Sequence, residues 1–420
     1  MQLWREWMLY FGLLLLIGLS ILLLGLKVTG VAENIWQSYY SLYIALAVAH
    51  LWYVFILLFI GDARAAPHSA YAGERIAVIV PVFNEDAEVV EATARSILAA
   101  DGVKDIFFVN DGSPDPKLDA ALRRLEEHPN VWVGTFEQNH GKRVAIAAAI
   151  REFVRDHAYV VLVDSDTLLD KYALVRLVEP LSNPRVGAST GDIRLSNEKQ
   201  NLLTRMVAAY YWSALNIQRK SQSTFGMVPC CSGALSAYRA ELLKSLALDL
   251  ARQHFLGKAC TFADDRHLAN LVLRSGHDVV YVGEALAYTR TPATYSTFIR
   301  QQLRWKRGFY QEAIVAMSFM WRVKPLLFLD ILVWELALPL LSIGLVLLLA
   351  IYSIIDPFFL FAGVLPSLLL VLIVRHLPLV FFSPQRLPGL VHYMFFNQFV
   401  MCWLGLYAIF TLRNRSWSTR

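Results

Sequence analysis

The stretch from Arg75 to Asp86 reads RIAVIVPVFNED: an apolar, β-branched run that ends in an amide and two carboxylates. The same pattern returns in DIFFVND (105–111), NVWVGTFEQ (130–138) and YVVLVDSDT (159–167), with helix-like stretches DAEVVEATARSILAA (86–100) and KRVAIAAAIREFVRDH (142–157) between them. Near-continuous apolar strands alternating with helices predict a parallel sheet covered on both faces, an α/β, Rossmann-like arrangement. Ligands of such sheets bind at the carboxyl ends of the strands. Here those ends are Asn84-Glu85, Asn110-Asp111 and Asp164-Ser165-Asp166. Turn chemistry alone explains any one of them, since Asn, Asp and Gly dominate turns. Three acidic strand ends in sequence order argue for a site.

Outward from this core the composition changes. The 420-residue chain is 56% hydrophobic and 17% charged, with a mean hydropathy of +0.44. This is too apolar for an ordinary soluble enzyme and excludes disorder, coiled coil and collagen. Yet 39 Lys+Arg and 34 Asp+Glu are too many for a chain buried in lipid throughout. Uncharged runs from Met8 to Leu26 and from Tyr39 to Ile60 are each long enough to span hydrocarbon. Further runs extend from Pro325 to Ile354, Pro357 to Val374 and Tyr393 to Leu412. A cleaved leader is rejected for the first run, because its apolar core is too long and only Arg5, beside Glu6, precedes it. Lys and Arg near the span ends place the amino terminus inside, and the basic tail then favours four full spans, with part of 376–412 interfacial or re-entrant. The expected organisation is two membrane helices in 1–62, a water-facing domain in 63–294, amphipathic interface helices in 295–324, and membrane or interfacial helices with a basic tail in 325–420. The net charge of +5 suits an anionic lipid surface or a phosphorylated substrate as well as nucleic acid, and no nucleic-acid partner is expected. Cys230, Cys231, Cys260 and Cys402 lack zinc spacing, and adjacent Cys230-Cys231 is a poor disulfide, so a reduced setting fits the first three.

Three motifs carry chemistry. In Asp164-Ser165-Asp166 the strand ends, and a curling backbone can bring both carboxylates to one ion. Mg²⁺ or Mn²⁺ takes one or two carboxylates together with phosphate oxygens. Asp264-Asp265-Arg266 is either a solvated helix start or a tuned pair in which one carboxylate deprotonates an acceptor hydroxyl; a like charge raises a carboxylate pKa and a cation lowers it. Gln301-Gln302-Leu303-Arg304-Trp305 lies in an Arg-rich amphipathic stretch from Tyr295 to Met320, which reads as a membrane-surface helix. Arg304 can also pair with diphosphate, and Trp305 offers a flat face to a sugar ring.

VPVFNED, VNDGS, NHGKR, VDSDT, CCSGALSAYR, FADDRHL and QQLRW occur in the order seen in processive, inverting family-2 glycosyltransferases, and the chain resembles the hyaluronan synthases and the nodulation chitooligosaccharide synthases. The similarity runs from about Arg75 to Met317 and returns in the tail, LYAIFTLRNRSWSTR. The resemblance implies a GT-A-type cytosolic glycosyltransferase domain inserted between transmembrane helices of the inner membrane. It implies that Glu85 and Asp111 hold uridine, that Lys142 lines the donor pocket, that Asp164 contacts the donor and that Asp166 binds Mg²⁺ or Mn²⁺. The Cys231-Ser232-Gly233 turn would border the acceptor. Asp265, beside Asp264, would be the general base. Gln301, Arg304 and Trp305 would close over diphosphate and acceptor, and Trp417 to Arg420 would brace a channel mouth. The sequence departs from the family pattern at Asn110, in place of a first Asp, and at Ala263 and Ala234, where the family more often has Gly and Pro.

The resemblance implies a synthase that builds a β-linked polysaccharide from UDP-sugars and feeds it outward through the bilayer. UDP-GlcNAc is expected as one donor. NLLTR (201–205), the two amino-terminal spans and the Trp-Ser-Thr-Arg ending lean towards a second donor, UDP-GlcA, and a hyaluronan-type product. RHLANLVLRSG and RQQLRW lean towards the alternative, a chitooligosaccharide synthase using UDP-GlcNAc only. A transporter would not need the Asp-x-Asp, a separate base and QxxRW.

Overall fold

The computed structural model describes residues 35–63, 69–359, 361 and 365–414. The expected first span (8–26) and the Trp417–Arg420 brace lie outside the described residues.

A helix α1 (Ile35–Ala63) leads into an α/β domain. Its strands are β1 (Ile76–Val82), β2 (Lys104–Asn110), β3 (Val131–Thr135), β4 (Tyr159–Leu162), β5 (Leu168–Leu169), β6 (Val186–Leu195), β7 (Ser236–Arg239), a small hairpin β8 (His254–Phe255) and β9 (Lys258–Ala259), and β10 (Asp278–Thr289). The main sheet has the order β3-β2-β1-β4-β7-β6-β10-β5. β3, β2, β1 and β4 run parallel, as the apolar runs predict. The sheet is nevertheless mixed, not all-parallel: β7 is antiparallel to both β4 and β6, and β5 is antiparallel to β10.

Alternation along β1 divides the core. Ile76, Val78, Val80 and Val82 pack beneath α2 (Ala87–Ala99), α3 (Pro116–Glu126) and α5 (Ala173–Val178). Ala77 and Ile79 pack beneath α4 (Lys142–Phe153), α7 (Ala240–Ala251) and α8 (Asp264–Arg274). Both faces are therefore covered, which is why β1 reads as an unbroken apolar run. Caps fix two of the helix starts. Asp115 accepts from the Lys117 amide at 2.9 Å with Pro116 in the first turn. Asn201 and Thr204 form a reciprocal capping box at the start of α6 (Leu202–Ser213).

The Arg-rich stretch forms one long helix, α9 (Tyr295–Met317). Among the described residues three helices are long and apolar enough to cross a membrane: Tyr39–Gly61, Pro325–Ile355 and Pro384–Phe410. The run expected to end at Arg375-His376 continues instead as the helix Leu365–Phe382. Its ionisable residues find protein partners: Arg375 lies 3.5 Å from the Trp334 ring centroid, and His376 Nδ1 lies 3.1 Å from Ser213 Oγ. A polar side chain ends an apolar helix only where it must reach water, and these two are received by protein groups instead.

Candidate active site

The carboxyl ends of β1, β2 and β4 lie side by side, so the acidic strand ends share one edge of the sheet. After β4 the chain curls at once, the Thr167 amide donating to the Asp164 carbonyl at 3.1 Å. The Ser165 hydroxyl reaches Glu85 Oε2 at 3.3 Å, tying the β1 end to this turn. Asp111, at the end of β2, is buried, and its two oxygens accept from the amides of His140 and Gly141, each at 2.8 Å. Those bonds fix the loop that delivers Lys142 to the start of α4. Asn110 accepts from the Ser113 amide at 3.0 Å, so the amide that replaces the usual Asp shapes the turn after β2.

Lys142 is where the separate motifs meet. Its ammonium lies 2.6 Å from Asp164 and 3.3 Å from Asp264. Burial pushes the Lys142 pKa down, but Asp164, Asp264 and Asp265 outweigh it and the net shift is upward. A Cβ on Gly233 would stand 2.8 Å from the Lys142 nitrogen and 3.4 Å from both Asp164 oxygens. The CCSG turn therefore passes directly over the Lys142–Asp164 pair. Ala234 donates its amide to Ser232 Oγ at 3.4 Å, a bond that proline would lack.

The two carboxylates that open α8 are pushed apart. Burial raises the pKa of Asp264, but Lys142 and Arg143 hold it below its ordinary value. Burial and the charge of Asp264 push Asp265 up. Adjacent carboxyls with opposed shifts are the arrangement in which one group serves as a proton acceptor and the other as fixed charge. Behind them Arg266 is buried, ion-paired with Glu335 and set over the Phe309 ring at 4.4 Å. Ala263, just before α8, adopts φ +61°, the left-handed conformation in which a glycine would carry no strain.

α9 is held against α8 by Glu312, a residue the sequence did not single out. Its carboxylate accepts from Gln253 at 2.7 Å and Asn270 at 3.0 Å, stands 3.2 Å from His267 Nδ1, and is ion-paired with Arg143 at 3.7 Å. Arg143 also donates to the Phe262 carbonyl at 2.6 Å. One buried acid thus joins the Lys142 helix, the loop before Ala263, the Asp265 helix and the QxxRW helix. The available signal was the spacing of His267 and Asn270, three apart on one face of α8. Gln301, Arg304 and Trp305 lie on α9 one to two turns before Gly308, which packs on Phe262 and Ala263. Trp305 is 38% exposed. The direct contacts that join Lys142, Asp164, Gly233, Asp264 and Asp265 do not include Gln301 or Trp305. Tyr211 of α6 was also unforeseen; burial, Tyr210, Asp166, Asp164 and Asp265 all push its hydroxyl pKa up.

Among the described residues no cluster of three or more His, Cys, Asp or Glu forms a ready metal cage. The donor chemistry of the Asp164–Asp166 turn still fits Mg²⁺ or Mn²⁺, which keep water and take phosphate oxygens alongside one or two carboxylates.

A two-faced α/β sheet with acidic strand ends, a half-buried lysine between carboxylates and an Asp-Asp helix start defines a GT-A-type glycosyltransferase domain, flanked by apolar helices. Residues 73–308 match the model of the family described as "Glycosyltransferase like family 2", and the chain belongs to that family. It is 33% identical over 365 residues to an N-acetylglucosaminyltransferase of Mesorhizobium japonicum, covering 84% of each chain. It is 32% identical over 352 residues to an N-acetylglucosaminyltransferase of Rhizobium meliloti, covering 82% of this chain and 80% of that one. Among solved structures, the mannosyltransferase PcManGT from Pyrobaculum calidifontis, in complex with GDP-Man and Mn²⁺, superposes with a TM-score of 0.60 at 21% identity, covering 91% of this chain and 100% of the other. That likeness is one of fold.

Proposed function

We propose that this glycosyltransferase transfers GlcNAc from UDP-GlcNAc to a growing β-linked chitooligosaccharide-type product. The observation that carries the proposal is the match to relatives named for N-acetylglucosaminyl transfer over about four fifths of both chains. It favours the single-donor alternative over the hyaluronan-type product towards which the tail and NLLTR lean, and the two-donor reading is set aside.

In this reading transfer is one inverting displacement. The acceptor hydroxyl attacks the anomeric carbon while Asp265, its proton affinity raised by burial and by Asp264, takes the proton. Lys142 and Arg304 supply positive charge to the departing diphosphate, and Glu85 and Asp111 order the uridine pocket. The Cys231-Ser232-Gly233 turn, Gln301 and Trp305 border the acceptor. Asp166, with Asp164 beside it, would hold Mg²⁺ or Mn²⁺, which supplies charge neutralisation at a leaving nucleoside diphosphate. Residues 63–294 form the water-facing catalytic part, 295–324 the interface, and 1–62 and 325–420 the membrane part, from which product leaves on the far side. Support for a polar passage comes from charged residues held within or beside the apolar helices: Asp330 against His50 at 2.9 Å, Arg375 over Trp334, and Glu335 on Arg266.

The test is radiolabelled sugar incorporation by the full chain in lipid nanodiscs, with UDP-GlcNAc alone, UDP-GlcA alone, and both. Chitinase-sensitive product from UDP-GlcNAc alone is expected. An absolute requirement for UDP-GlcA, or no GlcNAc incorporation under any condition, overturns the proposal.

A further inference from the structure

Cys230 has no role in the site described above, and all four cysteines are free thiols. Their surroundings differ. Cys231 is buried among apolar groups, whereas the Cys230 sulfur lies 3.2 Å from Asp265 Oδ2. The other oxygen of Asp265 accepts from the Arg266 amide at 2.7 Å. A backbone bond from the Cys231 amide to the Asp265 carbonyl, at 3.4 Å, ties the same two segments together. The carboxylate is thus gripped at one oxygen by its own helix and at the other by a thiol from the CCSG turn.

We propose that Cys230 is a positioning residue: its thiol donates to Oδ2 of Asp265, holding that carboxylate in one orientation towards the acceptor hydroxyl and favouring its ionised form. The proposal rests on the reading of Asp265 as the base.

Donation requires the thiol to keep its proton, and the surroundings provide for this. Burial and the Asp265 charge push the Cys230 pKa well up, against smaller opposing effects of Arg219 and Arg266. Asp265 itself faces Asp264 on its own helix and Lys142 from α4. Tyr211 and Tyr238, on neighbouring elements, are both held neutral by burial. A hydrogen bond to the charged form of an acid lowers its pKa. Removing the thiol therefore raises Asp265 further and moves the acid limb of the pH–rate profile to higher pH. A hydroxyl at the same place restores the donor.

The experiment has two arms on the full-length protein. The first follows iodoacetamide labelling of Cys230 by peptide mass spectrometry. Slow labelling is expected in the native chain, and acceleration of about tenfold in Asp265→Asn, because each unit by which the thiol pKa falls towards ambient pH raises the thiolate fraction tenfold. Equal rates in the two proteins overturn the contact. The second arm measures kcat/KM against pH for Cys230→Ala and Cys230→Ser, with UDP-GlcNAc binding measured beside it. The acid limb of Cys230→Ala is expected to move up by about half a pH unit or more with donor affinity unchanged, and Cys230→Ser to return it. An unmoved limb in Cys230→Ala, or a fall in donor affinity that accounts for the whole loss of rate, overturns the positioning role. Full transfer by Asp265→Asn overturns the base assignment, and this role with it, even where the labelling rates report the contact.

Discussion

Exchanging Ala263 and Gly308 tests how the helix bearing Asp265 is set in place. Ala263 stands at φ +61° and ψ +40°, a conformation that costs an L-residue about 1–2 kcal/mol. Glycine there removes that strain but gives back about 0.4–1 kcal/mol through the freedom of the unfolded chain, so Ala263→Gly stabilises by about 0.5–1 kcal/mol. The reverse holds at Gly308. A Cβ there would lie 2.6 Å from Ala263 Cβ and 3.2 Å from Phe262 Cδ2. A Cβ fixed to the backbone of the facing segment cannot swing away as a long side chain can, and overpacking of this kind costs about 1–3 kcal/mol. Alanine regains about 0.5–1 kcal/mol over glycine inside a helix, which leaves Gly308→Ala destabilising by about 1–2 kcal/mol. In the Ala263→Gly background the Cβ–Cβ collision is gone and Gly308→Ala becomes nearly neutral. The two changes should therefore couple by about 1–2 kcal/mol. The assay is thermal unfolding of the four proteins in one detergent, where 1 kcal/mol corresponds to about 2–4 °C, with GlcNAc transfer measured in parallel. The same loss of Tm for Gly308→Ala in both backgrounds would refute the reasoning.

Two further outcomes follow from contacts at the site. Gly233→Ala should leave Tm within about 2 °C, since only the flexible end of Lys142 must move, yet reduce transfer about tenfold or more by displacing that ammonium from Asp164; undiminished activity would show that the pair is not needed. Glu312→Gln leaves buried Arg143 without its counter-charge and should cost about 3 kcal/mol, seen as a Tm lower by about 6–12 °C. The pH dependence has a definite sign. Burial raises the Glu312 pKa, but His267 and Arg143 outweigh it and hold it below its ordinary 4.5. Its stabilisation is therefore present above that ordinary value and lost as pH falls through the folded one. A native chain and a Glu312→Gln variant whose Tm curves stay parallel from neutral pH to acid would contradict this.

The sequence alone determined the strands β1 to β4, the helices between them, the acidic strand ends and the apolar segments. Each is written in residues close together in the chain: period-two or unbroken apolar runs, turn residues at their ends, and lengths matched to a bilayer. The ordered motifs also placed the chain among family-2 glycosyltransferases, and the relatives bear this out. Ala263 was legible as a departure whose geometry was in doubt, and the chain keeps the left-handed turn there. Only the tertiary structure decided the rest. β7, four residues long, slips antiparallel between β4 and β6, because its place depends on partners far away in sequence. Lys142 meets Asp164 and Asp264, Cys230 meets Asp265, and Glu312 gathers Arg143, Gln253, His267 and Asn270, all between segments far apart in sequence. Arg375 and His376 stay inside an apolar helix because a ring and a hydroxyl from other segments receive them. Local pattern carries the energetics of an element's own backbone and exposed face. Which charges end up buried together depends on how the helices pack over the sheet, and no short window of sequence contains that information.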